Sequence, residues 1–271
     1  VIEDMLLKKE NLNIGDYITL KDEKSILNNK KLKIYINYGG DTEDGANAFW
    51  SFSKDEMYIG SGRNGILGHH YGVVDVVAHE FGHAVTDYMV NQLDYAGESG
   101  AIHEGISDIW AACVENYLNL SFDEIWNIGD HRGYIMRRMS DPKFMNDPNT
   151  YGKINWVNTT DVSKNNDYGG VHTNSGILNY WFYLLTMGGT GTNDNQEEYE
   201  VNGVGFSVSQ RIVYQTLLSY IERNSNYSQM RTSTLDATAK LYGETSNVYK
   251  QVMNAWHAVG VGCPYMDATI T

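Results

Sequence analysis

His79-Glu80-Phe81-Gly82-His83 stands in an apolar setting, with Val73, Val74, Val76, Val77 and Ala78 before it and Ala84 and Val85 after it. At about 3.6 residues per turn, a run that is apolar on nearly every side reads as a helix over roughly 74–90, buried through the middle of the molecule. Positions i and i+4 share a face, so both imidazoles can reach one ion while Glu80 stands about 100° round the helix, beside a water held there. Two nitrogen ligands and a carboxylate base on one helix describe a hydrolytic zinc site. A core helix with two histidines and no metal would leave buried polar groups to satisfy at a cost of several kcal/mol, which disfavours that plainer reading. Gly82 costs roughly 1 kcal/mol against Ala inside a helix, so a close neighbour is expected there.

A catalytic zinc takes three protein ligands and keeps a fourth position open. Downstream lies Gly100-Ala101-Ile102-His103-Glu104-Gly105-Ile106-Ser107-Asp108, followed by an apolar helical run to Tyr117. Glu104 and Asp108 are four apart and share a face, so Glu104 can ligate while Asp108 accepts the ring N–H of a ligating histidine. The competing pattern HExxHxxGxxH is absent, because Thr86 and Met89 occupy its last two positions. A glutamate is therefore the third ligand expected.

A third stretch, Asp167-Tyr168-Gly169-Gly170-Val171-His172-Thr173-Asn174-Ser175-Gly176, opens another apolar helix, Ile177 to Met187. Together with AHEFGHAVTDY at 78–88, YAGESGAIHEGISDIW at 95–110, RRMSDP at 137–142, NAFW at 47–50 and a C-terminal run from Tyr227 to Val261, it makes the chain resemble the thermolysin family of neutral metalloendopeptidases. The resemblance implies an α+β fold in which a β-rich lobe, residues 1–90, ends in the zinc helix, and a mostly helical lobe, residues 91–271, faces it across a cleft. It implies His79, His83 and Glu104 as zinc ligands and Glu80 as general base. His172 and Tyr95 match the family's donors to the oxyanion, with Asp167 orienting His172 and Asp108 holding the first zinc histidine. Arg137 matches the arginine that holds a substrate carbonyl, and Asn47 with the backbone of Ala48 the edge that pairs with an extended peptide. Val76 and Met136 keep an apolar lining suited to bulky side chains after the scissile bond, although His69 and His70 stand where relatives are apolar.

Calcium is the second expected cofactor. Asp75 lies one turn before His79 and Glu115 about three turns after Glu104, so two acids meet beside the zinc helices but away from the zinc. Asp123, Asn127 and Asp130 follow in an acidic loop that could complete six to eight oxygen ligands. These positions resemble the family's calcium site near the cleft. Asn127 replaces an acid found in some relatives and the spacing around Asp123 differs, so of one or two structural ions, one is favoured.

The 271 residues suffice for a sizeable core, and a formal net charge of −14 argues against nucleic-acid binding. No apolar stretch approaches the 18 to 20 residues that span a membrane. Val1 in place of Met reads as a processed chain. Family members carry signal and pro-sequences, so a secreted, zymogen-derived monomer acting on peptides or proteins is expected. Cys113 reads as a small buried hydrophobe, and neither it nor Cys263 is assigned a bridge or a metal. Gly60-Ser61-Gly62-Arg63-Asn64-Gly65 matches GxGxxG but leads into the zinc helix rather than a βαβ unit, so it reads as a turn.

Strand-like runs at 32–36 and 56–59 suggest the sheet-rich lobe, and helical patterns follow at roughly 74–90, 100–118, 172–187, 207–222, 229–242 and 246–259. Residues 121–170 read mostly as loop. The chain reaches NAFW after only 46 residues, about half the length in better-known relatives, so the β-rich lobe reads as reduced, either as a compact variant or with part of it removed or supplied elsewhere. Two alternatives stay open: a catalytically weak binding module, since a shortened lobe could compromise the cleft, and an aminopeptidase, for which no acidic amine-holding signature is seen. His103 stands where relatives have Asn. One step from Glu104 turns its side chain by about 100°, so the two cannot both face the metal, and the resemblance implies that His103 hydrogen-bonds near His83 as the family Asn does.

Overall fold

The computed structural model describes residues 33–39, 45–62, 71–90, 93–130 and 133–266; His69, His70 and the end of the glycine-rich turn lie outside them, as do the first 32 residues. Strands β1 (Lys33–Tyr38), β2 (Ala48–Ser51) and β3 (Glu56–Gly60) form a sheet of order β1-β3-β2, with β1 parallel and β2 antiparallel to β3. Ala48, Phe49 and Trp50 of NAFW thus fall in β2, an edge strand among the described residues. Ile34, Ala48, Trp50, Met57 and Ile59 turn inward and pack on Val76, Phe81, Ala84 and Val85 of helix α1 (Val74–Val90).

Helix α1 belongs to two apolar clusters at once, which is why its sequence is apolar almost all round. Ala78, on its other side, joins a larger core built from Ile102, Ile106 and Ile109 of α2 (Gly97–Tyr117), Trp126 of α3 (Phe122–Trp126), and residues of the later helices. The close neighbour expected at Gly82 is Ser107: a Cβ at Gly82 would lie 2.8 Å from the Ser107 Cα. That approach sets the two metal-site helices side by side, and any larger residue would wedge them apart.

Two-residue strands β4 (Asn127–Ile128) and β5 (Arg137–Arg138) pair antiparallel and carry Arg137 back to α2. The helical run expected over 172–187 divides into α4 (Asp167–Asn174) and α5 (Gly176–Met187). Before the first true turn, Asp167, Tyr168, Gly169 and Gly170 are all left-handed, at φ 51°, 53°, 95° and 71°. Glycine takes this conformation at little cost, whereas a tyrosine there is held by its surroundings.

A hairpin of β6 (Gly189–Thr192) and β7 (Glu198–Val201) follows, then α6 (Phe206–Ser219), α7 (Tyr227–Tyr242) and α8 (Asn247–Ala258). Asn226 and Gln229 cap α7 reciprocally, and the Ser246 hydroxyl caps α8. Trp181 of α5 stacks on Trp256 of α8 with ring centroids 4.8 Å apart, closing the helical core. The chain is thus α+β, a small sheet on one side of α1 and a helical body on the other. Cys113 is buried and Cys263 exposed, and both are free. No described helix is long and apolar enough to cross a membrane.

Candidate active site

Helices α1 and α2 bring His79, His83 and Glu104 together, each offering a ligand atom within 4.8 Å of the others, all buried. Glu104 Oε2 lies 3.3 Å from His79 Nε2 and Glu104 Oε1 3.3 Å from His83 Nε2. Glu104 Oε2 has no hydrogen-bond partner among the described residues. A buried carboxylate whose orphaned oxygen faces one imidazole nitrogen and whose other oxygen faces a second fits a divalent cation, and this donor set of two nitrogens and a carboxylate suits zinc with one position left open. Burial alone would lower His79, yet the charges of Glu104 and Asp108 outweigh it and raise it to about 10, a measure of how strongly the point draws positive charge.

The far nitrogens of both histidines are engaged behind the site. His79 Nδ1 lies 2.8 Å from Asp108 Oδ1. Asp108 is fully buried and also accepts from Arg137 Nε at 2.7 Å, Arg137 Nη2 at 2.7 Å and Asn179 Nδ2 at 2.8 Å. Burial would raise its carboxyl, but Arg137 and His79 hold it well below the usual carboxylate range. His83 Nδ1 lies 2.9 Å from His103 Nδ1, so His103 sits behind the metal face and not on it. Asn179 was not foreseen, because it reaches the site from α5 without a motif of its own.

Glu80 is buried beside the triad, and burial raises its carboxyl to about 7 against the opposing pull of His79. Across from it, Tyr95 donates to Glu104 Oε1, and its hydroxyl lies 3.3 Å from His172 Nε2. Asp167 accepts from the His172 backbone N–H at 2.9 Å and faces His172 Nδ1 at 2.6 Å, so the left-handed turn that opens α4 aims the imidazole at the triad. The Glu104 charge raises the His172 pKa, opposed by burial and helped by Asp167. Burial and Glu104 raise Tyr95 as well, which keeps its hydroxyl a donor.

A pocket opens over His79 and Glu80, lined also by Asn47, Ala48, Tyr71, Val76, Ile128, Met136, Arg137 and His172. All five residues expected at the substrate are therefore in one wall system with Glu80. Tyr71 and Ile128 were not foreseen. Arg137 faces Asp108 with its Nε and Nη2, which leaves its other N–H groups for a ligand.

Models of the thermolysin metallopeptidase catalytic domain and of the thermolysin metallopeptidase alpha-helical domain match residues 16–87 and 91–261. The chain belongs to the thermolysin metallopeptidase family. It is 40% identical over 239 residues to the thermostable neutral protease NprT of Geobacillus stearothermophilus, covering 86% of this chain and 40% of that protein. It is 39% identical over 239 residues to a thermolysin of Alicyclobacillus acidocaldarius, with the same coverage of 86% and 40%. The chain thus spans about two fifths of the length of these curated relatives. Among solved structures it is similar to the precursor of protealysin, a metalloproteinase from Serratia proteamaculans, with TM-score 0.66, 25% identity, and coverage of 87% of this chain and 70% of that one.

A second acidic group lies apart from the triad of this thermolysin-family chain. Asp75, Glu115 and Asp130 offer oxygens within 4.8 Å of one another, and Asp75 Oδ2 also accepts from the Gly129 N–H at 2.5 Å. Of the five positions expected to hold calcium, these three come together. Asp123 is exposed in the first turn of α3 and is not in that group, whereas Asn127 is buried and its Oδ1 accepts from Arg138 Nε at 3.1 Å. Burial and the charges of Asp75 and Asp130 push Glu115 up to about 9 from the usual 4.5.

This raised value has a thermodynamic sign. Between about 4.5 and 9 the folded state binds the Glu115 proton more tightly than the unfolded state, so calcium-free stability should fall as pH rises through that window. A bound divalent cation offsets the repulsion, and saturation at a hundredfold excess over Kd stabilises by about 2.7 kcal/mol. Calcium chelation with zinc kept saturated is expected to lower Tm, more at pH 8 than at pH 5, and to expose residues 121–135 to proteolysis. Melting curves indifferent to calcium at both pH values would refute this.

Proposed function

We propose that this protein is a zinc-dependent endopeptidase that hydrolyses internal peptide bonds, with preference for a bulky apolar residue after the scissile bond. The observation that carries this reading is the convergence of His79, His83 and Glu104 on one buried point, with Glu80 on one side and Tyr95 and His172 on the other. Zinc held by those three residues would polarise the scissile carbonyl and lower the pKa of a water toward roughly 7.

The chain's own residues supply the rest. Glu80, buried beside the triad where burial pushes its carboxyl up, is poised to take a proton from the attacking water and deliver it to the leaving amine. Tyr95 and His172 donate to the oxygen of the former carbonyl as charge gathers there, and Asp167 holds the His172 ring in place for that donation. Asp108 fixes the His79 ring. The edge of β2, with Asn47 and the Ala48 backbone, suits pairing with an extended peptide, and the N–H groups of Arg137 left over from Asp108 suit a substrate carbonyl. Val76, Ile128 and Met136 give part of the pocket's lining apolar side chains, which favours a bulky apolar side chain there.

Asp75, Glu115 and Asp130 are proposed as the core of one structural calcium site. A secreted monomer released from a zymogen completes the reading; its support is the family and a structural neighbour described as a precursor. The test is cleavage of an N-terminally blocked peptide of about a dozen residues, with products mapped by mass spectrometry. Cuts at internal bonds before bulky apolar residues are expected. Release of single N-terminal residues from the unblocked peptide only would make the protein an aminopeptidase, and no cleavage at all would make it a binding module.

A further inference from the structure

Behind the second histidine of the motif lies a line of buried polar groups that the reaction does not use directly. His103 is fully buried, with Nδ1 2.9 Å from His83 Nδ1 and Nε2 3.6 Å from Asp87 Oδ1. Asp87 Oδ2 accepts from the Trp50 indole N–H at 2.8 Å. Neither His103 Nε2 nor Asp87 Oδ1 has a hydrogen-bond partner among the described residues. A bare buried imidazole nitrogen and a bare buried carboxylate oxygen, facing each other, each lack what the other supplies.

Proton placement follows from these contacts. His83 turns its Nε2 to the point where Glu104 and His79 converge, so as a neutral ligand it carries its proton on Nδ1. The His103 Nδ1 at 2.9 Å must then accept, and the His103 proton must sit on Nε2, toward Asp87. The opposite tautomer would set two N–H groups against each other and a lone pair against a carboxylate. Ser107 Oγ, 3.0 Å from His83 Nδ1, is a parallel acceptor, but its own hydroxyl donates to the His103 carbonyl at 3.1 Å and so reads nothing of the ring's tautomer.

We propose that Asp87 is a positioning residue: it fixes His103 in the Nε2–H tautomer, which lets His103 accept from His83 and hold that ligand on the metal. The line Trp50, Asp87, His103, His83 thereby ties the zinc site to strand β2, the strand that carries Ala48 at the cleft. Asp87 stands four residues after His83, on the same face of α1, and reaches the ligand through α2. The inference rests on the zinc reading above.

The experiment measures zinc release from the zinc-loaded full chain to a chromophoric chelator, alongside histidine ¹⁵N spectra of the same protein. The wild type should show His103 with Nδ1 bare and Nε2 protonated. Asp87→Ala should speed zinc release about 10- to 100-fold, the range for such supporting partners. Asp87→Asn should fall between, because its one carbonyl oxygen can serve Trp50 or His103 but not both. His103→Asn, whose amide oxygen accepts from His83 without a tautomer to set, should release zinc near the wild-type rate, and adding Asp87→Ala to it should change little. Full additivity of the two substitutions, or a His103 proton found on Nδ1, would overturn the proposal. Should Asp87→Ala fail to fold, Asp87→Asn and the wild-type spectrum still decide it. A wild-type chain that holds no zinc would defeat the zinc reading as well, whereas zinc held equally well without Asp87 would defeat this inference alone.

Discussion

Glu80→Gln is expected to lose at least about 10²-fold in peptide hydrolysis while keeping its zinc and its fold. Glutamine has nearly the same shape and still fills the buried space beside His79, but it cannot accept a proton from the attacking water. Burial already raises Glu80 to about 7, so the neutral amide costs the fold little at the pH of assay. Metal content by mass spectrometry and the kcat of a blocked peptide check both halves. Loss of zinc with the substitution would make Glu80 a ligand, and near-normal kcat would place the base elsewhere.

His172→Ala carries the second large effect, a fall of about 10² to 10³ in kcat, the range found for removing one preorganised donor to a developing oxyanion. KM should change little, because the donation strengthens only as charge gathers. The His172 side chain is half exposed and contributes little to the core, so Tm should hold. Asp167→Asn should give a smaller loss in kcat, since it removes the orienting charge and leaves the ring. A His172→Ala effect confined to KM would assign the residue to ground-state binding.

Much of the site was legible because it is local in the chain. The HEFGH spacing, the four-residue step from Glu104 to Asp108, and the turn before His172 each place chemistry within one or two helical turns, and the structure assembles them on α1, α2 and α4. Gly82 announced a close approach by its cost alone, and Ser107 meets it. One step along a helix turned His103 away from the metal, and the resemblance supplied His83 as its neighbour.

What stayed hidden depends on contacts between distant segments. Asp87 and Asn179 carry no spacing signal toward their partners, which come from other elements: Trp50 of β2 and His103 of α2 for Asp87, Asp108 of α2 for Asn179. Asp123 shares an acidic stretch with Asp130, but it stands exposed in the first turn of α3. The β6–β7 hairpin was unforeseen since its strands, Gly-Thr-Gly-Thr and Glu-Tyr-Glu-Val, lack a clear apolar alternation. Its turn is set instead by Asn193, whose Oδ1 accepts from the backbone N–H of Asn195 and Glu197 and whose Nδ2 donates to the His257 carbonyl.

Zinc reconstitution tests the central claim most directly: the full chain is stripped with a chelator, calcium is replenished, and hydrolysis of a blocked peptide is followed as zinc is titrated back. Activity that vanishes on stripping and returns to completion at one zinc per chain, with no return in Glu104→Ala, is the expected result. Hydrolysis that survives stripping, or that returns equally in Glu104→Ala, would contradict a zinc peptidase built on His79, His83 and Glu104.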